Sequence, residues 1–221
     1  MTCCCSAVSV GAERQFSEKR AAKDLARYRA QGPGPTTRLL LAGLAKAGAS
    51  HGRLLDVGSG VGALTFELLE RGLTSAVGVD LSPAHVATAS KEAVRLGRPD
   101  SARFLQGDFL DLASQLPSAE IVTLDRVVCC YPEYERLLEE SLRHADWYFA
   151  FSYPKDTWYV RAFAWLENLA RRITGNTFRS FVHPVSAMES VIHHSGFTRV
   201  NSSCTRTWFA DVYIRDRKLS A

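Results

Sequence analysis

No apolar run in the 221 residues approaches the roughly 20 that a membrane span requires, so no integral membrane association is expected. The N-terminus also has no basic stretch followed by an apolar one, the mark of a secretory leader, and the expectation is a cytoplasmic protein. Net charge is mild too: +4, partly from scattered arginines, gives a nucleic-acid partner little support. Cysteine is not laid out as a disulfide framework, since the six fall as Cys3-Cys4-Cys5, Cys129-Cys130 and Cys204. The triplet reads as a solvated tail, a soft-metal or metalloid ligand set, or an S-acylation site, and no metal is assigned. A last absence is local. No Lys or Arg falls between Asp56 and Glu70, which argues against a phosphate loop at the glycine-rich turn there. What remains is 46% hydrophobic and 23% charged, ordinary for a globular chain of one larger domain.

The chain is organised around Arg53 to Gly62, R-L-L-D-V-G-S-G-V-G. Leu54, Leu55 and Val57, interrupted by Asp56, predict a short buried strand. Gly58, Gly60 and Gly62 predict a turn too tight for side chains. Val61, Leu64, Thr65, Leu68 and Leu69 then recur at helical spacing up to Gly72. A strand, a glycine turn and a helix in that order expose free backbone N–H groups, the outline of a nucleotide site. The spacing G-x-G-x-G brings the third glycine one position earlier than in the dinucleotide fingerprint. Asp56, two residues before the first glycine, would repel a pyrophosphate and suits a cationic group. Asp80 ends the next strand, S-A-V-G-V-D, where it can take a pair of ribose hydroxyls.

Asp56, the glycine turn and Asp80 together resemble motif I and the second-strand acid of the class I S-adenosylmethionine-dependent methyltransferases. The resemblance implies that Asp56, Gly58, Ser59, Gly60 and Gly62 hold the methionine part of S-adenosylmethionine, and Asp80 with Leu81 the ribose. Gly107-Asp108-Phe109 resembles the family's G-D-h signature, implying that Asp108 accepts from the adenine amino group while Phe109 packs on the ring. The implied fold is α/β: a Rossmann-like, seven-stranded, mostly parallel sheet with helices on both faces and a C-terminal antiparallel strand. The resemblance covers about residues 36 to 215, and residues 36–221 are expected to form the methyltransferase domain.

Along the chain, residues 1–35 read as a loose tail and a capping helix. That helix runs from Ala12 to Ala30, with Phe16, Ala21, Leu25 and Tyr28 along one side, and stops at Gly32-Pro33-Gly34-Pro35. By family habit it lies across the cofactor mouth, so Tyr28 either touches ligand or packs the helix on the core. Strands are expected at Ser75 to Asp80, Arg103 to Gly107, Glu120 to Asp125, Trp147 to Tyr153, Phe197 to Ser203 and Trp208 to Arg215. Helices intervene from Ser82 to Leu96, Pro132 to Arg143 and Val185 to Ser195.

The turn after the fourth strand, T-L-D-R-V-V-C-C-Y-P, corresponds to motif IV, so Asp125, Arg126, Cys129, Cys130 and Tyr131 are expected nearest the substrate. Asp125 is also counted among the cofactor contacts, and the two cysteines admit a purely structural reading. Asp125, Tyr131 and His183 are the catalytic candidates. Asp125 could instead cap the turn, and His183 could be a surface residue fixed by Pro184. Residues 154–184 interleave aromatics, Trp158 among them, with arginines. They read as a lid over the substrate, a packing helix, or a membrane-surface or partner helix. L-D-R-V-V-C-C-Y-P and the later F-S-Y-P-K-D-T-W look like the C-terminal half of magnesium-protoporphyrin O-methyltransferases, whose pattern has a histidine where Cys130 stands.

The expected function is methyl transfer to a small molecule, with O-, N- and S-acceptors all open and aromatic or carboxylate-bearing acceptors among them. Two alternatives stand beside it: metalloid or thiol methylation through Cys129 and Cys130, and a non-catalytic interaction module on the cofactor fold.

Overall fold

The computed structural model describes residues 15–216. The Cys3-Cys4-Cys5 triplet and the expected helix start at Ala12 lie outside the described residues. Helix α1 (Glu18–Gln31) begins after Ser17, so Phe16 precedes it rather than sitting on its apolar side. Helix α2 (Pro35–Lys46) carries its proline at the first position, where a missing N–H costs nothing. It buries Leu40, Leu41 and Leu44, each contributing about 1.5–3 kcal/mol, against the sheet.

Strand β1 (Arg53–Val57) passes through the glycine turn into α3 (Ala63–Glu70), then β2 (Ser75–Asp80), α4 (Pro83–Arg95) and β3 (Ala102–Gln106). A one-turn helix, α5 (Phe109–Leu112), had no counterpart in the sequence reading; Asp108 caps it, accepting the Leu110 N–H at 3.0 Å. The chain continues through β4 (Ala119–Asp125), a short turn at Val128–Cys130, and α6 (Tyr134–His144). It ends with β5 (Ala145–Pro154), α7 (Trp158–Ile173), α8 (Val185–His194), β6 (Phe197–Cys204) and β7 (Trp208–Arg215).

The sheet order is β3-β2-β1-β4-β5-β7-β6, with β7 alone antiparallel to its neighbours. The order reverses between β1 and β4, and a crevice opens outside the carboxyl ends of strands at such a switch point. Successive strand residues face opposite ways, so Leu55, Val57, Val122 and Leu124 pack towards α6 and α8. Leu54, Ile121 and Ala150 pack towards α2, α3 and α4. The same alternation fixes where Asp56 must point: to the Leu54 side, beneath α3.

Candidate active site

The glycine turn is built by constraint on both sides. Gly58 and Ser59 donate their N–H groups to the Val79 carbonyl at 2.7 and 3.1 Å, tying the turn to β2. Gly58 has φ +69°, and a Cβ there would lie 2.3 Å from Val127. Gly60, φ +55°, is different: the nearest atom to its would-be Cβ is 3.9 Å away, so the backbone there borders open space. That space is a cavity of about 900 Å³, lined on the β1–β2 side by Val57, Gly58, Gly60, Asp80 and Leu81.

Asp56 is buried away from this cavity. Its two oxygens accept from Thr123 Oγ1 at 2.7 Å and Thr65 Oγ1 at 2.8 Å, so it braces β1, β4 and α3 under the turn. The Asp56 side chain, expected at the ligand, does not line the cavity, whereas Val57, Gly58 and Gly60 beside it do. Ser59 likewise turns inward, beside Gly78, its buried hydroxyl without a hydrogen-bond partner. Burial pushes the Asp56 carboxyl up to about 7, against the pull of the two threonine hydroxyls. A pKa raised by folding means the protonated folded form is favoured below the unfolded value near 3.8, and that advantage is lost as pH rises towards 7. Wild-type stability should therefore fall relative to Asp56→Asn by roughly 2 kcal/mol between pH 5 and 7. Urea unfolding of both proteins at the two pH values measures it, and parallel curves would refute the assignment.

Asp80 does face the cavity. Its carboxylate accepts the Gly60 N–H and the Ser82 N–H, each at 2.8 Å. Gly107 donates to the Asp80 carbonyl at 3.0 Å, which brings the G-D turn alongside. Asp108 is held by the Tyr131 hydroxyl at 2.9 Å. Gly107, Phe109 and Tyr131 line the cavity together with Asp80. Burial, followed by the charge of Asp108 and its hydrogen bond, pushes the Tyr131 hydroxyl well above its ordinary value.

A roof crosses this half of the cleft. The Ser82 hydroxyl donates to the Phe16 carbonyl at 2.8 Å, and the Phe16 ring meets His85 and Phe178 edge-on at 5.6 and 5.5 Å. Asp24 of α1 approaches His85 at 3.7 Å. Arg29 of α1 and Arg95 together clamp the buried Glu92, whose carboxyl they hold down at about 2. The expected capping role of α1 thus falls to Phe16, Arg20, Asp24 and Arg27, which line the cavity. Tyr28 does not. Its ring joins the α2–α3–α4 core cluster, with its hydroxyl 3.4 Å from Glu67.

At the end of β4, Asp125 accepts from Thr37 Oγ1 at 2.5 Å and Ser152 Oγ at 2.6 Å. Arg126 has φ +64°, the one positive value at a non-glycine among the described residues. Such strain concentrates at functional sites. It aims the guanidinium over Trp208, 5.1 Å from the ring centre. The Cys129 and Cys130 sulfurs lie 3.7 Å apart, both lining the cleft. The Cys130 hydrogen bond and the Arg126 charge push the Cys129 thiol down, whereas Cys130 is pushed well up.

His183 is not in the cleft. Its Nε2 lies 3.1 Å from the Val128 carbonyl and 3.0 Å from that of Tyr131, so this nitrogen must carry the hydrogen and donate. Burial pushes its pKa down, keeping the ring neutral. His183 is a clip on the cysteine turn, correcting the expected base.

The 154–184 segment supplies the far wall through Tyr159, Val160, Phe163, Arg171, Phe178 and Phe181. Trp158, one of the aromatics expected near the substrate if this segment were a lid, is 80% exposed and does not line the cavity. Trp208 was missed because β7 reads as an ordinary strand. The wall formed by Val160, Ala164, Glu167 and Arg171 does recur at helical spacing, but its mixed composition hid it.

A family profile described as "Methyltransferase domain" matches residues 54–146. Erythromycin 3''-O-methyltransferase of Saccharopolyspora erythraea is 47% identical over 68 residues, 30% of this chain and 22% of that protein's length. Magnesium protoporphyrin IX methyltransferase from Synechocystis, solved with bound SAH, superposes with a TM-score of 0.68 at 20% identity over 89% of this chain and 96% of that one. The cyclase SpnF superposes at 0.61 with 14% identity, covering 81% of each chain. The cavity suits S-adenosylmethionine on its own terms: the Asp80 carboxylate, able to accept hydroxyls, faces it beside glycine backbone that borders open space. Residues 54–146 thus match a methyltransferase-domain profile, and the chain has the fold of the class I S-adenosylmethionine-dependent methyltransferases.

Proposed function

We propose that the chain transfers a methyl group from S-adenosylmethionine to a small, flat molecule bearing a carboxylate. The observation that carries the reading is Asp80, whose carboxylate joins the glycine turn to the cavity wall. S-adenosylmethionine supplies the methyl as a sulfonium substituent. Gly58, Gly60, Asp80, Leu81, Gly107 and Phe109 would hold it, with Asp108 steadied by Tyr131.

The acceptor half supports a carboxylate in two ways. Its wall combines aromatic faces, Tyr159, Phe163, Phe181 and Trp208, with the guanidiniums of Arg126 and Arg171. No candidate base stands ready. Both Asp125 oxygens already accept hydroxyls, His183 donates its Nε2 hydrogen to carbonyls, and the Tyr131 hydroxyl donates to Asp108. A carboxylate is already ionised at neutral pH and needs no proton removed. The protein's contribution is alignment of acceptor and methyl, together with exclusion of water under the roof.

Isothermal titration should detect binding of S-adenosylmethionine and of its demethylated product. A label-transfer screen over aromatic acids should then yield a methyl ester. Absence of binding by either nucleoside refutes the reading. Binding with label transferred only to amines or alcohols refutes the acceptor class.

Metalloid methylation through Cys129 and Cys130 has the 3.7 Å sulfur separation in its favour. Among the described residues, however, no group of three or more His, Cys, Asp or Glu is placed to hold a metal ion. Unchanged metalloid tolerance in cells expressing the Cys129→Ser, Cys130→Ser protein would exclude it.

A further inference from the structure

Helix α7 presents its polar and small residues inward and its large apolar ones outward. At 100° per residue, Trp158, Phe163, Trp165, Leu166, Leu169 and Ile173 fall within an arc of roughly 160°. They are 80, 62, 63, 56, 39 and 78% exposed. Val160, Ala164 and Arg171 occupy the side that lines the cleft. Arg161 and Arg172, both exposed, border the arc on one flank.

We propose that this face docks on an anionic lipid bilayer, with α7 lying in the headgroup boundary. Charge favours that partner. Residues 155–181 hold five cations and two carboxylates, so +3 of the chain's net +4 sits in this one segment. The two carboxylates pair with Arg161 and Arg171, so the excess positive charge rests on Lys155, Arg172 and Arg179. The composition favours it as well: indole rings prefer the boundary between water and hydrocarbon, and arginines beside an apolar stripe reach anionic headgroups. Among the described residues no helix is long and apolar enough to cross a membrane, and the 16 residues of α7 extend only about 24 Å, so the helix lies on the bilayer. A second copy fits less well, because an antiparallel pairing of two α7 helices would bring Arg161 near Arg172 of the other copy.

Tyr159 and Phe163 belong both to this face and to the cleft wall. A docked chain would open its cleft at the lipid surface and admit a lipophilic acceptor without a passage through water. That consequence rests on the proposed methyl transfer; the docking itself does not.

The full chain should sediment with vesicles of phosphatidylcholine containing about a third phosphatidylglycerol, with a blue shift of tryptophan fluorescence. It should sediment poorly with phosphatidylcholine alone, and high salt should release it. The doubly substituted protein Trp158→Ser, Trp165→Ser should lose about tenfold or more of its partitioning. Both side chains are exposed and lie off the cleft, so S-adenosylhomocysteine titration should remain unchanged and certify the fold. Equal sedimentation with the two lipid mixtures, or none, overturns the proposal. So does a dimer in light scattering that the same substitutions dissolve, since the face would then belong to a second copy. Failure to bind S-adenosylhomocysteine at all would count against methyl transfer and leave the docking result standing.

Discussion

Asp80→Ala should weaken S-adenosylhomocysteine binding about a hundredfold or more by isothermal titration. The carboxylate does two things at once. It accepts the Gly60 and Ser82 N–H groups at 2.8 Å each, fixing the glycine turn against the start of α4, and it stands where a ribose would bring its hydroxyls. A hydrogen bond to a charged group contributes about 1.5–3 kcal/mol, so loss of the ribose contacts alone removes one to two orders of magnitude per bond. The freed turn adds to the loss. Folding stability should fall much less, by about 1–2 kcal/mol, because both N–H groups border the cleft and can turn to water. Asp80→Asn should fall between, since one amide oxygen still accepts while the amide nitrogen faces an N–H donor. Titration of Asp80→Ala within threefold of wild type would remove the second-strand acid from the site.

Sequence carried the fold because its signals there are local. The strand-to-helix turn at Val57 to Gly62, the breaks at Gly32 to Pro35 and at Gly97, and the Phe197 and Trp208 strands all announce themselves within a few residues. The resemblance to methyltransferases located the pocket at the ends of β1 and β2. Side-chain direction was harder. Asp56 sits beside the glycine turn in sequence, yet strand alternation sends it under α3, where Thr65 and Thr123 satisfy it. His183 falls in a segment whose path depends on packing against the cysteine turn, with the Phe181 N–H on the Cys129 carbonyl at 2.7 Å. Nothing within ten residues of it reveals that neighbour. Trp158 failed for the opposite reason. An amphipathic helix is ordinarily read as apolar side inward, and α7 reverses the rule, leaving its indoles in solvent and a thinner set of residues on the cleft. The roof by Phe16 depends on contacts with Ser82 and Phe178, far away in the chain, which no local pattern encodes.

Two glycines two residues apart should respond to the same substitution in opposite ways. At Gly58 a methyl group would meet Val127 Cγ2 at 2.3 Å while the residue holds φ +69°. The left-handed backbone costs alanine about 1–2 kcal/mol, and overpacking in the core costs about 1–3 more. Gly58→Ala should therefore lose roughly 2–5 kcal/mol, lowering the melting temperature by about 4–20 °C in a chain of this size. Val127→Ala relieves the overlap but not the backbone. In the Gly58→Ala background it should restore stability, whereas in the wild type it should reduce it, and a double-mutant cycle by calorimetry isolates that coupling. Gly60→Ala meets no atom within 3.9 Å and carries only the backbone penalty of φ +55°, so its melting point should shift by a few degrees. Its new methyl, however, borders the cleft, and S-adenosylhomocysteine binding should drop about tenfold or more. If Gly58→Ala melts within two degrees of wild type, or Val127→Ala costs the same in both backgrounds, the close approach of the turn to Val127 is wrong. If Gly60→Ala binds the nucleoside normally, the ligand does not run along the glycine backbone at all.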